Sequence, residues 1–361
     1  MALGTPVVRS TPETLRLRPP LPERVRLFPQ LRFMGSKYRL LPWIHEVFER
    51  LDFRTALDAF SGSGCVAYLM KAMGKEVAAN DFLRFTSTVA QATIENADEM
   101  LDASTVARLL EDSPGAPRFI EETFSGIFYT LRDLRFLDRV SWNVSRLRKP
   151  YRRALALSAL VRACVKRQPR GVFTVAGDPS HYKDGRRDLR LSLEEHFLEQ
   201  VEVYNRCVFD NGRRNRAWRG DVFDLDPSGF DLVYMDPPYV PRADDNCYVK
   251  RYHFLEGLTC YWTGLKILED SQVKKIAKPF TPFSYRRTAL PAFDRMFSHF
   301  KRSILVLSYS SNGFPDLADL VQLMRRYKRR VEVEERDHRY HFGTHDRVRR
   351  AEVREYLIIG E

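Results

Sequence analysis

Short apolar runs bounded by turn residues recur along the chain, and stretches with helical spacing lie between them. Residues 55–81 read as one such unit. TALDAF predicts a strand, SGSG a tight turn, CVAYLMKAMG an amphipathic helix and KEVAAND a second strand. Asp231 to Met235 predicts another strand, because an apolar run of that length between turn residues is the mark of a buried parallel strand. Pro237 and Pro238 end it, since neither has an N–H for a ladder. ILVLSYSSNG, Ile304 to Gly313, predicts a further strand that closes in hydroxyls and a glycine. VEVEERDH and EVREYLIIG alternate as antiparallel edge strands do.

Helical spacing appears at Leu40, Leu41, Ile44, Val47 and Phe48, and again over Tyr151 to Lys166 with Leu155, Leu157, Leu160 and Val161 inside. Residues 82–130 have helical character, interrupted at Ser113, Pro114 and Gly115, and a helix opens at His253, Phe254 and Leu255. Strands alternating with helices predict an α/β fold, with ligands at the carboxyl ends of its strands.

Length and composition narrow the picture. A chain of 361 residues allows one large domain or two moderate ones, and 44% hydrophobic content suits a packed core. The net charge of +12 favours a polyanionic partner. Residues 130–219 hold 21 Lys and Arg against 10 Asp and Glu, so nearly all of that charge sits in one quarter of the chain. Clustering of this kind supplies phosphate contacts, although a solvated helical lid with ordinary Arg coverage has the same count. Cys65, Cys164, Cys207, Cys247 and Cys260 are scattered without CxxC pairs or zinc spacing, which predicts reduced thiols and a cytoplasmic protein. His341 and His345 bracket Gly343 with no third ligand near, so no metal centre is expected. No signal peptide and no 18-residue apolar run is found, and therefore no membrane span is predicted. Residues 1–30, rich in Pro and Arg, predict a flexible N-terminal arm.

Candidate chemistry gathers at the predicted strand ends. Asp236, Pro237, Pro238 and Tyr239 follow the 231–235 strand on a stiff loop. An exocyclic amine on a base is a poor nucleophile because its lone pair is delocalised into the ring. The Asp236 carboxylate and the Pro237 carbonyl are two acceptors that can draw the lone pair back, and the Tyr239 ring can stack on the base. A strand-end Asp in a turn with a packed Tyr is the competing reading. The turn after Asp58 and Phe60 places Gly62 and Gly64 where backbone must approach a ligand, and Asp81 ends the next strand where an acid can bond ribose hydroxyls. The glycine spacing is not GxGxxG, which argues against a nicotinamide enzyme. Phe33, Gly35, Ser36 and Lys37 form a turn before a helix, with backbone donors for an anion. Asp221, in GDVFDL, precedes the Asp-Pro-Pro-Tyr strand.

Asp-Pro-Pro-Tyr after an apolar strand resembles motif IV of the S-adenosylmethionine-dependent amino-methyltransferases. D-x-F-x-G-x-G at 58–64 is similar to their motif I, and F-x-G-S-K at 33–37 followed by Leu-Leu-Pro-x-Ile is similar to motif X. The order of these motifs around a basic insertion resembles the Dam-like, alpha group of DNA adenine-N6 methyltransferases. The resemblance implies a Rossmann-like class I methyltransferase sheet with helices on both faces, made by residues 31–96 and 217–361, and a mainly helical target-recognition insertion at 97–216. It implies S-adenosylmethionine held by Phe33, Gly35, Lys37, Asp58, Phe60, Gly62, Gly64, Asp81, Asp221 and Asp236, with Lys37 on the methionine carboxylate. Asp236, Pro237, Pro238 and Tyr239 would hold an adenine extruded from double-stranded DNA. Arg148, Lys149, Arg152, Arg167, Arg170, Lys183, Arg186 and Arg187 are the expected DNA-binding residues. The enzyme would act as a monomer on DNA, without a metal, beside a cognate restriction endonuclease or defence partner. A cytosine-N4 or RNA adenine enzyme, and an inactive DNA-binding regulator, are the alternatives; Asp rather than Ser before Pro-Pro leans toward adenine.

Overall fold

The computed structural model describes residues 8–9, 19–177, 185–241, 247–339 and 352–361. Its strands are β1 (Val8–Arg9), β2 (Thr55–Asp58), β3 (Glu76–Asp81), β4 (Arg216–Arg219), β5 (Leu232–Met235), β6 (Val240–Pro241), β7 (Ile304–Ser310), β8 (Gly313–Phe314), β9 (Val331–Arg339) and β10 (Glu352–Gly360). Eight of them form one sheet in the order β1-β9-β10-β7-β5-β2-β3-β4, and β6 pairs with β8 in a separate two-stranded ribbon. The run β7, β5, β2, β3, β4 is parallel, whereas β10 runs antiparallel to both β7 and β9. β10 is therefore an interior strand. The alternation at its start comes from the exposed Arg354 between the buried Val353 and Glu355, not from an edge position.

The side-chain alternation of a strand explains the layers. Leu232 and Tyr234 of β5 pack into one apolar cluster, and Val233 and Met235 into the other. Both directions are buried, so the strand reads as continuous apolar sequence. The helices are α1 (Leu41–Phe48), α2 (Cys65–Ala72), α3 (Arg84–Ala90), α4 (Ala103–Leu110), α5 (Phe119–Phe124), α6 (Leu131–Ser145), α7 (Pro150–Arg167), α8 (Arg187–Arg190), α9 (Leu193–Cys207), α10 (Tyr248–Cys260), α11 (Arg286–His299) and α12 (Leu317–Met324). The first cluster takes side chains from α1, α2, α3, α6, α7, α9 and α10, and the second from α11 and α12. Helices thus cover both faces.

Local chemistry sets the helix ends. Ser192 and Glu195 form a reciprocal capping box on α9, Asp102 caps α4, Thr130 caps α6, and Pro150 opens α7 where its missing N–H costs nothing. The helix expected to open at His253 begins at Tyr248, five residues earlier. His253 is buried inside it, with Nε2 bonded to the Phe173 carbonyl at 2.8 Å. The helices between residues 103 and 207 are not packed on themselves alone. Leu155, Leu160, Phe197 and Val201 of α7 and α9 belong to the same cluster as Ala56, Leu232 and Tyr234 of the sheet.

Candidate active site

Three carboxylates leave the sheet at the carboxyl ends of adjacent parallel strands. Asp58 ends β2, Asp81 ends β3, and Asp236 follows β5 by one residue. Register brings them together, because Asp58 lies opposite both Tyr234 and Ala79. β2 is flanked by β3 and β5 because the chain leaves through β4 and returns on the other side. That reversal point is where open α/β sheets hold ligands. A cleft opens there, lined by Phe33 to Lys37, Asp58, Phe60 to Ser63, Asn80 to Leu83, Gly220 to Val222, Asp236, Pro238, Tyr248 and Lys278 to Tyr285.

The turn between β2 and α2 is shaped by glycine. Gly62 has φ of +51° and Gly64 of +83°, a region L side chains avoid. A Cβ on Gly62 would also meet Phe33 Cε1 at 3.0 Å. Asp81 Oδ2 accepts from the Gly62 amide at 2.7 Å and Oδ1 from Leu83 at 2.8 Å, which locks the turn to the end of β3. Asp58 is buried; Oδ2 accepts from the Ala67 amide at 3.1 Å, while Oδ1 takes no hydrogen bond from the described residues. Burial, followed by the charges of Asp236 and Asp81, pushes Asp58 well above the usual carboxylate range. Burial also raises Asp81, against the pull of the Leu83 and Gly62 amides.

Lys37 is the buried cation of the cleft, and its partner is the catalytic candidate. Its Nζ lies 3.1 Å from Asp236 Oδ1 and 3.8 Å from Glu355 Oε2. The sequence had suggested the methionine carboxylate of a cofactor as its partner. Burial pushes Asp236 up to about 6; Lys37 opposes that shift and Glu355 adds to it. Glu355, on β10, was missed by sequence reading, although a lone acid at an inward position of an alternating strand was a visible signal. The Ser36 amide is not a free donor for an anion, because the Phe33 carbonyl holds it at 3.2 Å.

Phe33 sits against Tyr248 and Tyr252, with ring centroids 5.3 and 5.1 Å away, and the Tyr252 hydroxyl accepts from the Met34 amide at 2.8 Å. These two tyrosines were also missed. Phe60 meets Phe283 edge-on at 5.4 Å. Asp221 lies exposed on the rim, its Oδ1 accepting from the Phe223 amide at 3.0 Å. After Pro237 and Pro238, the β6–β8 ribbon ties the loop to the end of β7. Tyr239 packs on Tyr309 at 5.4 Å, and a Cβ on Gly313 would come within 3.0 Å of Tyr239 Cδ2.

The expected DNA-binding residues do not form one surface. α7 has 18 residues, so it is about 27 Å long. Its C-terminal end lies by the cleft: Arg162 Nε donates to Gln30, and a Cβ on Gly171 would touch Arg32 at 3.4 Å, next to Phe33. Arg148, Lys149 and Arg152 are at its other end, and Arg152 is paired there with Asp102 at 2.8 Å and Lys149 with Glu99 at 3.7 Å. Arg167 is a correction of a different kind. It is buried, 3.3 Å from Asp133, and it donates to the Leu189 carbonyl. Arg187 is paired with Glu199, and Arg186 donates to the Pro169 carbonyl at 2.9 Å. Arg170 alone of the group is exposed beside the cleft end with no counter-charge within ion-pair distance among the described residues. Lys183 lies outside the described residues, as do His341 and His345. Charge adjacent in sequence was spread in space along a helix about 27 Å long.

Among the described residues, no helix is long and apolar enough to cross a membrane, and no His, Cys, Asp and Glu group is arranged to hold a metal ion. The sequence profile of the D12 class of N6 adenine-specific DNA methyltransferases matches residues 33–261, which holds the glycine turn, the Asp-Pro-Pro-Tyr loop and the helices between. Type II methyltransferase M2.HphI of Haemophilus parahaemolyticus is 31% identical over 327 residues, 87% of this chain and 92% of that protein. Modification methylase StsI of Streptococcus sanguinis is 24% identical over 82% of this chain and 46% of its own length. Type II methyltransferase M.FokI of Planomicrobium okeanokoites is 22% identical over 78% of this chain and 45% of its own, so the chain spans about half of each of these last two. Sheet order, strand-end carboxylates and sequence kinship agree: the chain belongs to the D12 class of N6 adenine-specific DNA methyltransferases.

Proposed function

We propose that the methyl donor is S-adenosylmethionine, that the adenine is extruded from duplex DNA into the cleft, and that the protein acts as a monomer, as the modification arm of a restriction or defence system. The observation that carries this reading is the trio Asp58, Asp81 and Asp236 at three neighbouring strand ends, the first two buried and the third half-buried. The cleft lining holds four carboxylates, those three and Asp221, against the ammonium groups of Lys37 and Lys278. A ligand with a sulfonium and an α-ammonium supplies the positive charge that such a site lacks. The unpartnered Oδ1 of Asp58 is an acceptor that fits an ammonium, and the turn carries Ser61, Gly62 and Ser63 along the cleft. Gly62, Gly64 and Phe60 would hold the amino-acid half, with Phe33 packed on the turn. Asp81 and Asp221 would face the ribose and adenine ends.

Bound there, S-adenosylmethionine supplies an electrophilic methyl group. The chain's own part is to prepare the amine. Lys37 occupies Asp236 Oδ1 and leaves Oδ2 for one amine N–H; the Pro237 carbonyl takes the other. Both acceptors are fixed before the base arrives, which is where electrostatic catalysis gains over water. Tyr239 stacks on the ring plane, backed by Tyr309. The proton shed by nitrogen has an acceptor in reach, since Asp236 is pushed up to about 6. Asp236 is half-buried in the cleft, and a base that leaves the stack could meet it there, which supports extrusion. The modification role draws support from the names of the relatives, which are type II methyltransferases and modification methylases.

Asp236→Ala is the test. The variant is expected to fold and to bind duplex DNA and S-adenosylmethionine, and to transfer no tritiated methyl. Turnover near that of the wild type would refute the assignment. Sequencing DNA from an expressing host with a methylation-sensitive readout gives the base and the recognition sequence.

A further inference from the structure

The segment Lys278 to Tyr285 lines the cleft but belongs to none of the motifs above. Phe280 is 65% exposed, the most exposed large hydrophobic side chain among the described residues. It lies face to face with Tyr285, centroids 5.2 Å apart and planes within 12°. The pair is not a loose loop tip. Phe283 between them is buried against Phe60, Phe223 and Phe293, at 5.4, 6.0 and 5.3 Å, so the segment is anchored next to the glycine turn.

Charge makes the strip unusual. From Ser271 to Phe293 the chain has five Lys or Arg and no Asp or Glu. Lys278 Nζ lies 5.6 Å from the Tyr285 ring, and Arg286 sits over Phe314 at 4.8 Å, on the ribbon that holds the Asp-Pro-Pro-Tyr loop. Leaving a stacked aromatic pair in water is costly unless a partner covers it. Flat apolar faces flanked by cations match a polyanion that carries π faces, namely a nucleic-acid strand.

We infer that Phe280 and Tyr285, with Lys278 beside them, form a second DNA-contacting surface on the catalytic half of the protein, where the Phe280 ring stacks on a base at the mouth of the cleft. The contact lies outside the helical insertion. It rests on the proposal that duplex DNA delivers its adenine to this cleft. Tyr239 holds the base within; Phe280 meets the strand that remains outside, and Lys278 and Arg287 meet its phosphates.

The experiment compares wild type, Phe280→Ala, Phe280→Tyr and Lys278→Ala on a duplex carrying the recognition sequence, with 2-aminopurine in place of the target base. Phe280→Ala is expected to weaken DNA binding by about 5- to 150-fold, the range for losing one stacked base, and to reduce the 2-aminopurine enhancement. Phe280→Tyr keeps both. Lys278→Ala lowers the slope of log affinity against log salt by about 0.9. S-adenosylmethionine affinity by calorimetry stays unchanged in both Phe280 variants. Unchanged DNA affinity and fluorescence in Phe280→Ala overturn the inference. A weakened cofactor affinity with intact DNA binding also overturns it and makes the ring a cover for the cofactor. Wild-type protein that binds no duplex at low salt sinks the underlying function as well, which separates the two failures.

Discussion

Replacing Lys37 with Met removes the only ammonium within ion-pair distance of Asp236 among the described residues, and the consequence can be worked through. Lys37 is buried, with its side chain 6% exposed, and Asp236 keeps 20%. An opposite charge this close holds a carboxylate about 1 to 3 units lower than it would otherwise lie. Asp236 at about 6 is the balance of burial and Glu355 upward and Lys37 downward. Without Lys37 it should titrate roughly between 7 and 9. At pH near 7.5 a group at about 6 is roughly 97% ionised, and one at about 8 only about 24%. A protonated Asp236 cannot serve as the acceptor that the amine needs. Lys37→Met should therefore lose about fourfold in kcat/KM at that pH for a shift of about two units, and recover near pH 9. Glu355→Gln should move the acid limb the other way, because it removes a neighbouring negative charge. The assay is the initial rate of methyl transfer to a duplex oligonucleotide at limiting concentration across pH, since kcat/KM reports the free enzyme. Identical acid limbs in wild type and Lys37→Met would refute the pairing. A raised KM for the methyl donor with no pH shift would return Lys37 to the cofactor carboxylate.

Asp58→Asn should raise the stability of the ligand-free protein while it abolishes cofactor binding. The folded-state pKa of Asp58 is raised, so its stabilising contribution is present at acid pH and lost as pH rises through that pKa. The gain over wild type must therefore grow with pH in urea melts, and a flat difference would count against the burial of an ionisable Asp58. Arg167→Ala should cost about 3–5 kcal/mol, because it strands Asp133 in the interior; the folded fraction should still bind DNA, and a stable variant with lost DNA affinity would restore Arg167 to the contact surface. Gly62→Ala combines strained backbone with a clash on Phe33, so cofactor affinity should fall at least tenfold by calorimetry; wild-type affinity would contradict the described turn. Duplex DNA binding should weaken steeply between about 50 and 200 mM salt, and a flat response would argue against phosphate contacts altogether.

Much of the fold was legible because period and punctuation agreed. β2 and β5 were visible as apolar runs closed by Gly and Pro, β3 as a run closed by Asp81, and α7 was placed to within a residue at each end. The carboxylates Asp58, Asp81 and Asp236 were found because each ends such a run. What sequence could not give was pairing across distance. Nothing near Lys37 says that Asp236, about two hundred residues later, is its partner, nor that Glu355 joins them from β10. The basic region misled for the same reason. Asp102, Asp133, Asp188 and Glu199 neutralise much of it only once the chain has folded.

The shared packing of α7 and α9 with the sheet has a practical corollary. A recognition module tethered by loops could swing onto its target or be exchanged between enzymes as a cassette. Here α7 and α9, which lie in the segment expected to read DNA, are cemented to the sheet that carries the cleft, with Leu155 and Val201 in the same apolar mass as Leu232. A transplant of the whole segment would therefore strip away side chains that pack against the sheet beneath the cleft.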